Sequence, residues 1–274
     1  MKNKTSLTKD AILKDPYNYT LKEMKDCLGE EMATDFFESL YKNKPKIQNQ
    51  TVKIKEVFNG KDTLKYAFEL SDGYCIETVC IKRKTGITVC VSTMVGCPVG
   101  CIFCASGKNG FIRNLSSSEI VQQIVLLKEK VNRIVFMGMG EPLLNYGEVI
   151  KAIHILRDRD GLNFPTDGIT ISTVGPINQL KKLREEHLKI QLTLSLHATS
   201  QVKRDKVMPH MRGNSIDDVV EAVLSYSERH NRKVTIAYLL IPGFNDGRED
   251  IKQLKKWFFG KNVLINVLQY NETD

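Results

Sequence analysis

Three cysteines lie close enough in the sequence to bind one metal centre. Cys97, Cys101 and Cys104 form a C-x3-C-x2-C run within the segment GCPVGCIFCASGKNGF. The glycines and the proline in this segment let the chain curl, so that the thiolates can converge. A closed zinc or iron–sulfur site usually takes a fourth protein ligand. Three thiolates therefore predict a centre with one open position, where chemistry can take place.

Two plainer interpretations of the same run stay open when the residues alone are considered. The run could hold three reduced thiols in a tight loop. Alternatively, it could form a zinc site completed by one of the histidines His154, His187 or His197.

Further polar residues follow hydrophobic segments that read as strands. Glu141 lies in MGMGEP, Ser172 and Thr173 lie in ISTVG, and Ser195 and His197 lie in SLHA. Asn271 follows the last of these segments. Because α/β folds place their sites at the carboxyl ends of the strands, this shared position predicts one common site.

Strands and helices alternate from Gly86 onward, which predicts a parallel α/β sheet or an open barrel. The cysteine run follows the first strand of the series. The predicted strands are Thr88–Ser92, Arg133–Met137, Gly168–Thr173, Lys189–Leu196, Lys233–Ile241 and Asn262–Leu268. The predicted helices are Ser116–Lys130, Tyr146–Arg157, Ile177–Glu186, Ser215–His230 and Asp246–Phe258.

The preceding part of the chain has two other patterns. Helical spacing of apolar residues predicts one helix over Leu21–Tyr41, and alternation over Thr51–Cys90 predicts an antiparallel meander. We therefore divide the chain into a short N-terminal helical segment (1–45), an antiparallel β extension (46–85) and an α/β unit (86–274).

Glu77 lies on the third strand of the predicted meander. Alternation places Cys75, Glu77 and Val79 on one face of that strand. Glu77 is then either a solvated residue or a carboxylate directed toward a site, and the solvated interpretation is favoured by composition alone.

Composition narrows the class of protein. The chain has 274 residues, a net charge of +8 and seven cysteines. Without an apolar run of membrane-spanning length or a signal peptide, we expect a cytoplasmic protein that interacts with no membrane. Cysteines in such a protein favour metal or redox work over disulfides. The positive charge is compatible with RNA as a partner, and Lys181-Lys182 and Lys203-Arg204 are either phosphate contacts or solvated helix faces.

Several linked motifs resemble the radical S-adenosylmethionine superfamily, and more narrowly the RlmN/Cfr family of RNA adenosine methyltransferases. They are the cysteine run, MGMGEP, ISTVG and SLHA, together with IETV, CVSTMVGC, NGFIRNLSSSEI, KVMP, KVTIAYLLIPGFND and NVLQYNET. The resemblance extends from about Tyr66 to Asp274.

The resemblance implies a radical SAM (β/α)6 partial TIM barrel, preceded by the β meander and the short helical segment. A [4Fe-4S] cluster would be held by Cys97, Cys101 and Cys104, and its open iron would chelate S-adenosylmethionine. One-electron reduction would cleave this cofactor to a 5′-deoxyadenosyl radical. A reducing donor such as flavodoxin or ferredoxin, and a monomeric enzyme, are expected with it.

The resemblance also implies roles for individual residues. Glu77 matches the carboxylate that takes a proton from the adenine carbon, which reverses the solvated interpretation. Cys90 matches the thiol that resolves the protein–RNA adduct through a disulfide. The remaining positions match S-adenosylmethionine contacts: Gly140, Glu141, Ser172, Ser195, Leu196, His197 and Asn271.

Family members also methylate a second cysteine, which lies beyond the barrel and carries the methyl carbon to adenine. This sequence runs only to Asp274 and contains no match to that cysteine. Cys75, which shares the predicted face of Glu77, or a thiol from another chain are the alternatives.

The sequence thus predicts a radical enzyme that methylates carbon 2 or carbon 8 of an adenosine in 23S ribosomal RNA, transfer RNA or both. The alternative is a family member that binds the cluster and S-adenosylmethionine without methylating RNA.

Overall fold

The computed structural model describes residues 7–42, 50–108, 110–211 and 213–270. Its N-terminal part contains three helices, α1 (Lys9–Lys14), α2 (Leu21–Leu28) and α3 (Glu30–Lys42). The single helix predicted over Leu21–Tyr41 is therefore wrong. Gly29, with φ of 87°, ends α2 in a conformation that L side chains rarely adopt, and the chain changes direction there.

Four antiparallel strands form the predicted meander. They are β1 (Val52–Asn59), β2 (Thr63–Leu70), β3 (Cys75–Arg83) and β4 (Gly86–Cys90), each paired with the next. Ile76, Thr78 and Cys80 on β3 are buried, whereas Cys75 and Glu77 on the opposite face are exposed. The alternation predicted for this strand is confirmed.

The meander continues into a parallel sheet without a break, because β4 also pairs with the first strand of the parallel series. The parallel strands after β4 are β7 (Val131–Phe136), β8 (Ile169–Thr173), β9 (Gln191–Ser195), β10 (Val234–Leu240) and β11 (Val263–Gln269). The nine-stranded order is β1-β2-β3-β4-β7-β8-β9-β10-β11. A small hairpin of β5 (Met94–Gly96) and β6 (Phe111–Asn114) encloses the cysteine run.

The helices alternate with these strands as predicted. They are α4 (Ala105–Lys108), α5 (Ser117–Val125), α6 (Tyr146–Arg157), α7 (Ile177–Glu185), α8 (Gln201–Val207), α9 (Ile216–His230) and α10 (Arg248–Phe258). Two of them, α4 and α8, were not predicted. α5 ends at Val125 rather than at Lys130, and in the segment that follows it Glu129 Oε2 accepts from Tyr66 Oη of β2 at 2.6 Å.

The main apolar core lies between the sheet and its helices, and buried polar residues of α5 link that core to the meander. Gln122 Oε1 accepts from the Thr51 and Val52 amides, and Gln123 Oε1 accepts from the Thr78 hydroxyl at 2.7 Å. These bonds fix the meander against the parallel strands. No helix in the described part of the chain is long and apolar enough to cross a membrane.

Candidate cofactor cavity and substrate face

A cavity of about 360 Å³ opens at the carboxyl ends of the parallel strands. Its wall contains all three cysteines of the run, so the structure brings them together as predicted. Five of the other predicted positions line the same cavity, namely Gly140, Glu141, Ser172, Ser195 and His197. Ser172 Oγ and Ser195 Oγ lie 3.3 Å apart on neighbouring strands.

The cysteine run is held by hydrogen bonds from outside it. The Cys97 amide donates to the Gly110 carbonyl at 2.8 Å, across the base of the β5–β6 hairpin. The Ile102 amide donates to the Val207 carbonyl at the end of α8, at 3.1 Å. The loop over residues 97–110 is thus closed at its base and held near its centre.

The chemistry of these donors suits an iron–sulfur cluster. Three soft sulfur ligands face one cavity, and burial raises the pKa of Cys97 to about 11 and that of Cys101 to about 12. Deprotonation of such buried thiols calls for a cationic centre beside them. Within the described residues, no three His, Cys, Asp or Glu side chains, these cysteines included, are placed to hold a single metal ion.

Gly140 gives the chain a close approach to the start of the cysteine loop. Its φ is +103°, and a Cβ there would lie 2.7 Å from Met94 side-chain atoms and 2.8 Å from Thr93 Oγ1. Any larger residue would displace one of these neighbours. The MGMGEP segment therefore requires glycine at this position for two independent reasons.

Glu141 is buried and accepts three hydrogen bonds. Oε1 accepts from the Leu143 amide at 2.9 Å and the Thr173 hydroxyl at 2.7 Å, and Oε2 accepts from the Val174 amide at 2.8 Å. Burial raises its pKa to about 7, although these bonds and Arg204 oppose the shift. The carboxylate thereby connects the loop after β7 to the end of β8.

His197 has left-handed backbone, with φ of 50°. Its Nδ1 accepts from the Leu239 amide at 3.0 Å, which leaves the proton of the neutral ring on Nε2. Burial, with a further contribution from Arg204, lowers the pKa of His197 to about 3. The ring also contacts Phe103 of the cysteine loop edge-on, with centroids 4.9 Å apart.

Arg204 on α8 joins these elements, in a role that sequence analysis missed. Its side chain was expected either to contact phosphate or to lie on a solvated helix face, and both alternatives are wrong because the residue is only 1% exposed. Nη1 donates to the Leu196 carbonyl at 3.1 Å and Nη2 donates to the Val174 carbonyl. Burial lowers the pKa of Arg204 to about 10.

We call Glu141, Val174, Leu196, His197 and Arg204 the rim. Through their hydrogen bonds they connect the ends of β7, β8, β9 and β10 with α8. Leu196 belongs to the rim through its backbone only, since its side chain is fully buried in the apolar core. A direct cofactor contact was expected of Leu196, and the cavity wall does not include it.

Glu77 and Cys90 do not line this cavity, yet they lie on the same side of the sheet. Val79 pairs with Cys90, and Cys90 pairs with Val135, whose neighbour Met137 lines the cavity. Because residues directly opposite each other share a face, Glu77 and Cys90 extend the inner face of the barrel. Cys75 shares this face but is exposed, at the first position of β3, and its Sγ lies 3.6 Å from Lys55 Nζ.

Ser92 links Glu77 to the glycine-rich segment. Its hydroxyl donates to the Glu77 carbonyl at 2.6 Å and accepts from the Met139 amide at 3.1 Å. Gln123 binds the amide and the carbonyl of Ser92 at 2.8 and 2.9 Å. These bonds hold the strand of Glu77 in a fixed position relative to the cavity. Asn271, the last predicted contact, lies outside the described residues.

Comparison with known proteins agrees with this geometry. Residues 91–257 match the family model described as the radical SAM superfamily. A crystal structure of a radical SAM methyltransferase from Sphaerobacter thermophilus superposes with a TM-score of 0.88 and 30% identity, covering 93% of this chain and 85% of the other.

Curated relatives are similar over most of this chain. A probable RNA methyltransferase from Rhodopseudomonas palustris is 52% identical, over 78% of this chain and 60% of its own length. A probable dual-specificity RNA methyltransferase RlmN from Pseudothermotoga lettingae is 45% identical, over 83% of this chain and 67% of its own. The chain thus spans about two thirds of the length of such relatives. With its partial barrel and its cysteine-lined cavity, the chain belongs to the radical SAM superfamily and, within it, to the RlmN/Cfr family.

Proposed function

We propose that this protein is a radical S-adenosylmethionine RNA methyltransferase that modifies an adenosine ring carbon, carbon 2 or carbon 8, in 23S ribosomal RNA, transfer RNA or both. One observation carries the proposal. The cysteine-lined cavity and the residues Glu77 and Cys90 occupy one continuous inner face of the same sheet. The names of the relatives in the comparison support RNA as the substrate.

In this proposal Cys97, Cys101 and Cys104 would hold a [4Fe-4S] cluster, and the same cavity would hold S-adenosylmethionine. Together the two groups supply one-electron cleavage of the sulfonium when bound. A small reducing protein such as flavodoxin or ferredoxin provides the electron.

Glu141 is suited to bind the cofactor's ammonium group. A carboxylate offers about four lone-pair directions. Oε1 already accepts two hydrogen bonds and Oε2 accepts one, so one direction on Oε2 is free. Gly140 lets the backbone approach the same group closely, and the Ser172 and Ser195 hydroxyls offer donors and acceptors on the facing strands.

His197 contributes a fixed hydrogen-bond donor. Because Nδ1 is taken by the Leu239 amide, Nε2–H is the remaining donor, and the lowered pKa keeps the ring neutral. The Phe103 ring packed against it orients the imidazole toward the cysteine loop.

Glu77 is the proton acceptor in this proposal. Cys90 is the thiol that would resolve the protein–RNA adduct by forming a disulfide with the methyl-carrying thiol, which Cys75 or another chain would supply. Glu77 pairs with Lys65 at 2.9 Å, and its side chain is 52% exposed, so an adenine can reach it from solvent. Burial raises the pKa of Cys90 to about 11, which keeps it protonated until a partner or a base approaches.

The test is anaerobic reconstitution with iron and sulfide, followed by dithionite, S-adenosylmethionine with a labelled methyl group, and ribosomal or transfer RNA. Mass spectrometry is expected to find 5′-deoxyadenosine and labelled methyladenosine. Glu77→Gln should abolish RNA labelling. Glu69→Gln is the matched control, since Glu69 pairs with Lys55 at 3.5 Å on the same face. Cleavage of the cofactor without any RNA labelling by the wild-type protein would contradict the proposal.

A further inference from the structure

Strand β1, at the edge of the meander, exposes an aromatic ring on the face of the sheet that carries Glu77. Every residue of β1 after Val52 is exposed, and Phe58 is 44% exposed. Phe58 lies opposite Lys65 on β2, and Lys65 lies opposite Val79 on β3. Phe58 therefore shares the face that carries Glu77 and Cys90.

Lys65 contacts its neighbours on both sides. Its Nζ lies 5.0 Å from the centroid of the Phe58 ring and 2.9 Å from Glu77 Oε1. Phe58, Lys65 and Glu77 thus form a row across three adjacent strands. Because paired strands are about 4.8 Å apart, the row extends roughly 10 Å outward from β3.

The chemistry of this row fits single-stranded RNA. An exposed aromatic face stacks on any base, and RNA-binding sheets use such rings for unpaired nucleotides. A lysine whose ion pair is exposed can exchange its carboxylate for a backbone phosphate, because an exposed ion pair contributes little to stability. No comparable arrangement of ring, cation and carboxylate lies elsewhere on this face among the described residues.

We propose that the Phe58–Lys65–Glu77 row receives the RNA strand next to the target adenosine. The Phe58 ring stacks on a neighbouring base, and Lys65 leaves Glu77 to bind a phosphate. The Glu77 carboxylate is thereby released only when RNA is present. This inference rests on the proposed function, because it takes RNA as the substrate.

Binding of a short RNA hairpin with an unpaired, adenosine-containing loop tests the row. Fluorescence anisotropy at several KCl concentrations gives the affinity and its dependence on salt. Phe58→Ala should weaken binding by about 5- to 150-fold, the range of one base–aromatic stack, with an unchanged salt slope. Phe58→Trp should retain the affinity. Lys65→Ala should reduce the salt slope by about 0.7, as expected for one lost phosphate contact.

The chain offers a matched control pair. Phe259 is 79% exposed after α10, and Lys255 Nζ lies 5.6 Å from its ring centroid. Phe259 precedes β11, so it lies at the opposite end of the strands from the cavity. Phe259→Ala and Lys255→Ala should leave both the affinity and the salt slope unchanged.

The possible outcomes test the role of the row and the proposed function separately. Wild-type protein that binds the hairpin, with Phe58→Ala within twofold of it, overturns the row and leaves the methyltransferase proposal standing. Equal losses in Phe58→Ala and Phe259→Ala also overturn the row, because binding would then be nonspecific. Wild-type protein that neither binds nor methylates RNA overturns both.

Discussion

The rim lies at the strand ends of the sheet whose other part is the meander strands β1–β3, yet the two regions hold their polar groups in opposite ways. Glu141 and Arg204 are buried and each makes several hydrogen bonds, whereas Glu77 is half exposed and held by one ion pair. Groups in fixed positions can bind a cofactor whose structure is the same at every turnover. A large substrate that must enter and leave requires groups that can change partners.

Arg204→Met should have the largest effect on stability. It removes the donor to the Val174 carbonyl and one of the two donors to the Leu196 carbonyl, which keeps the Ala198 amide at 2.7 Å. Losing one charged hydrogen bond and leaving the buried Val174 carbonyl unpaired should together lower the free energy of unfolding by about 2–6 kcal/mol. Urea denaturation measures the change. Lys206→Met, an exposed position on the same helix, is the control and should change it by less than about 0.5 kcal/mol.

Gly140→Ala should have the next largest effect on stability. The added Cβ would be strained in the left-handed backbone and would overlap Met94, so it should lower the free energy of unfolding by about 1–3 kcal/mol and weaken S-adenosylmethionine binding. Thermal unfolding and calorimetric titration measure the two effects. Gly147→Ala is the control, because nothing lies within 4 Å of a Cβ there and the residue is helical. A neutral or stabilising result at Gly140 would contradict the close approach.

His197 should make stability depend on pH. Its pKa is lowered to about 3 in the folded protein, so the unfolded chain binds more protons between pH 3 and 6.5. Stability should therefore fall as pH falls below 6.5, by up to about 1.4 kcal/mol per pH unit from this residue. His197→Asn, which tolerates the left-handed backbone, should flatten the curve of unfolding midpoint against pH. Parallel curves for the two proteins would refute this assignment.

Glu77→Gln should have the smallest effect on stability. The Glu77–Lys65 pair is exposed, so its loss should change the free energy of unfolding by less than about 1 kcal/mol. RNA labelling should nevertheless disappear. A large loss of stability would mean that the carboxylate has a structural role, and would remove the contrast with the rim.

The sequence predicted the parts of the site that rest on local pattern. The spacing of Cys97, Cys101 and Cys104 and the strand-end positions of Glu141 and His197 all led to one cavity. Glycine and short polar residues at strand ends are informative because the backbone must turn there.

Residues whose environment is set by distant contacts could not be predicted. Arg204 sits in a basic run, SQVKRDKV, and nothing local distinguishes it from its exposed neighbour Lys206. Gln123 is fully buried on α5, although glutamine is usually found in solvent. The partners of both side chains lie on strands remote in sequence, so only the assembled fold shows them.

The position of β4 between two kinds of pairing also affects how the chain folds. Its partner β3 lies only a turn away, whereas its other partner, β7, begins 41 residues after Cys90, at Val131. During synthesis the meander can form as soon as β4 emerges, while the second edge of β4 stays unpaired until β7 arrives. That edge is then open to pairing with other chains. The cysteine run lies within this interval, so it leaves the ribosome before the strands that form the rest of its cavity wall.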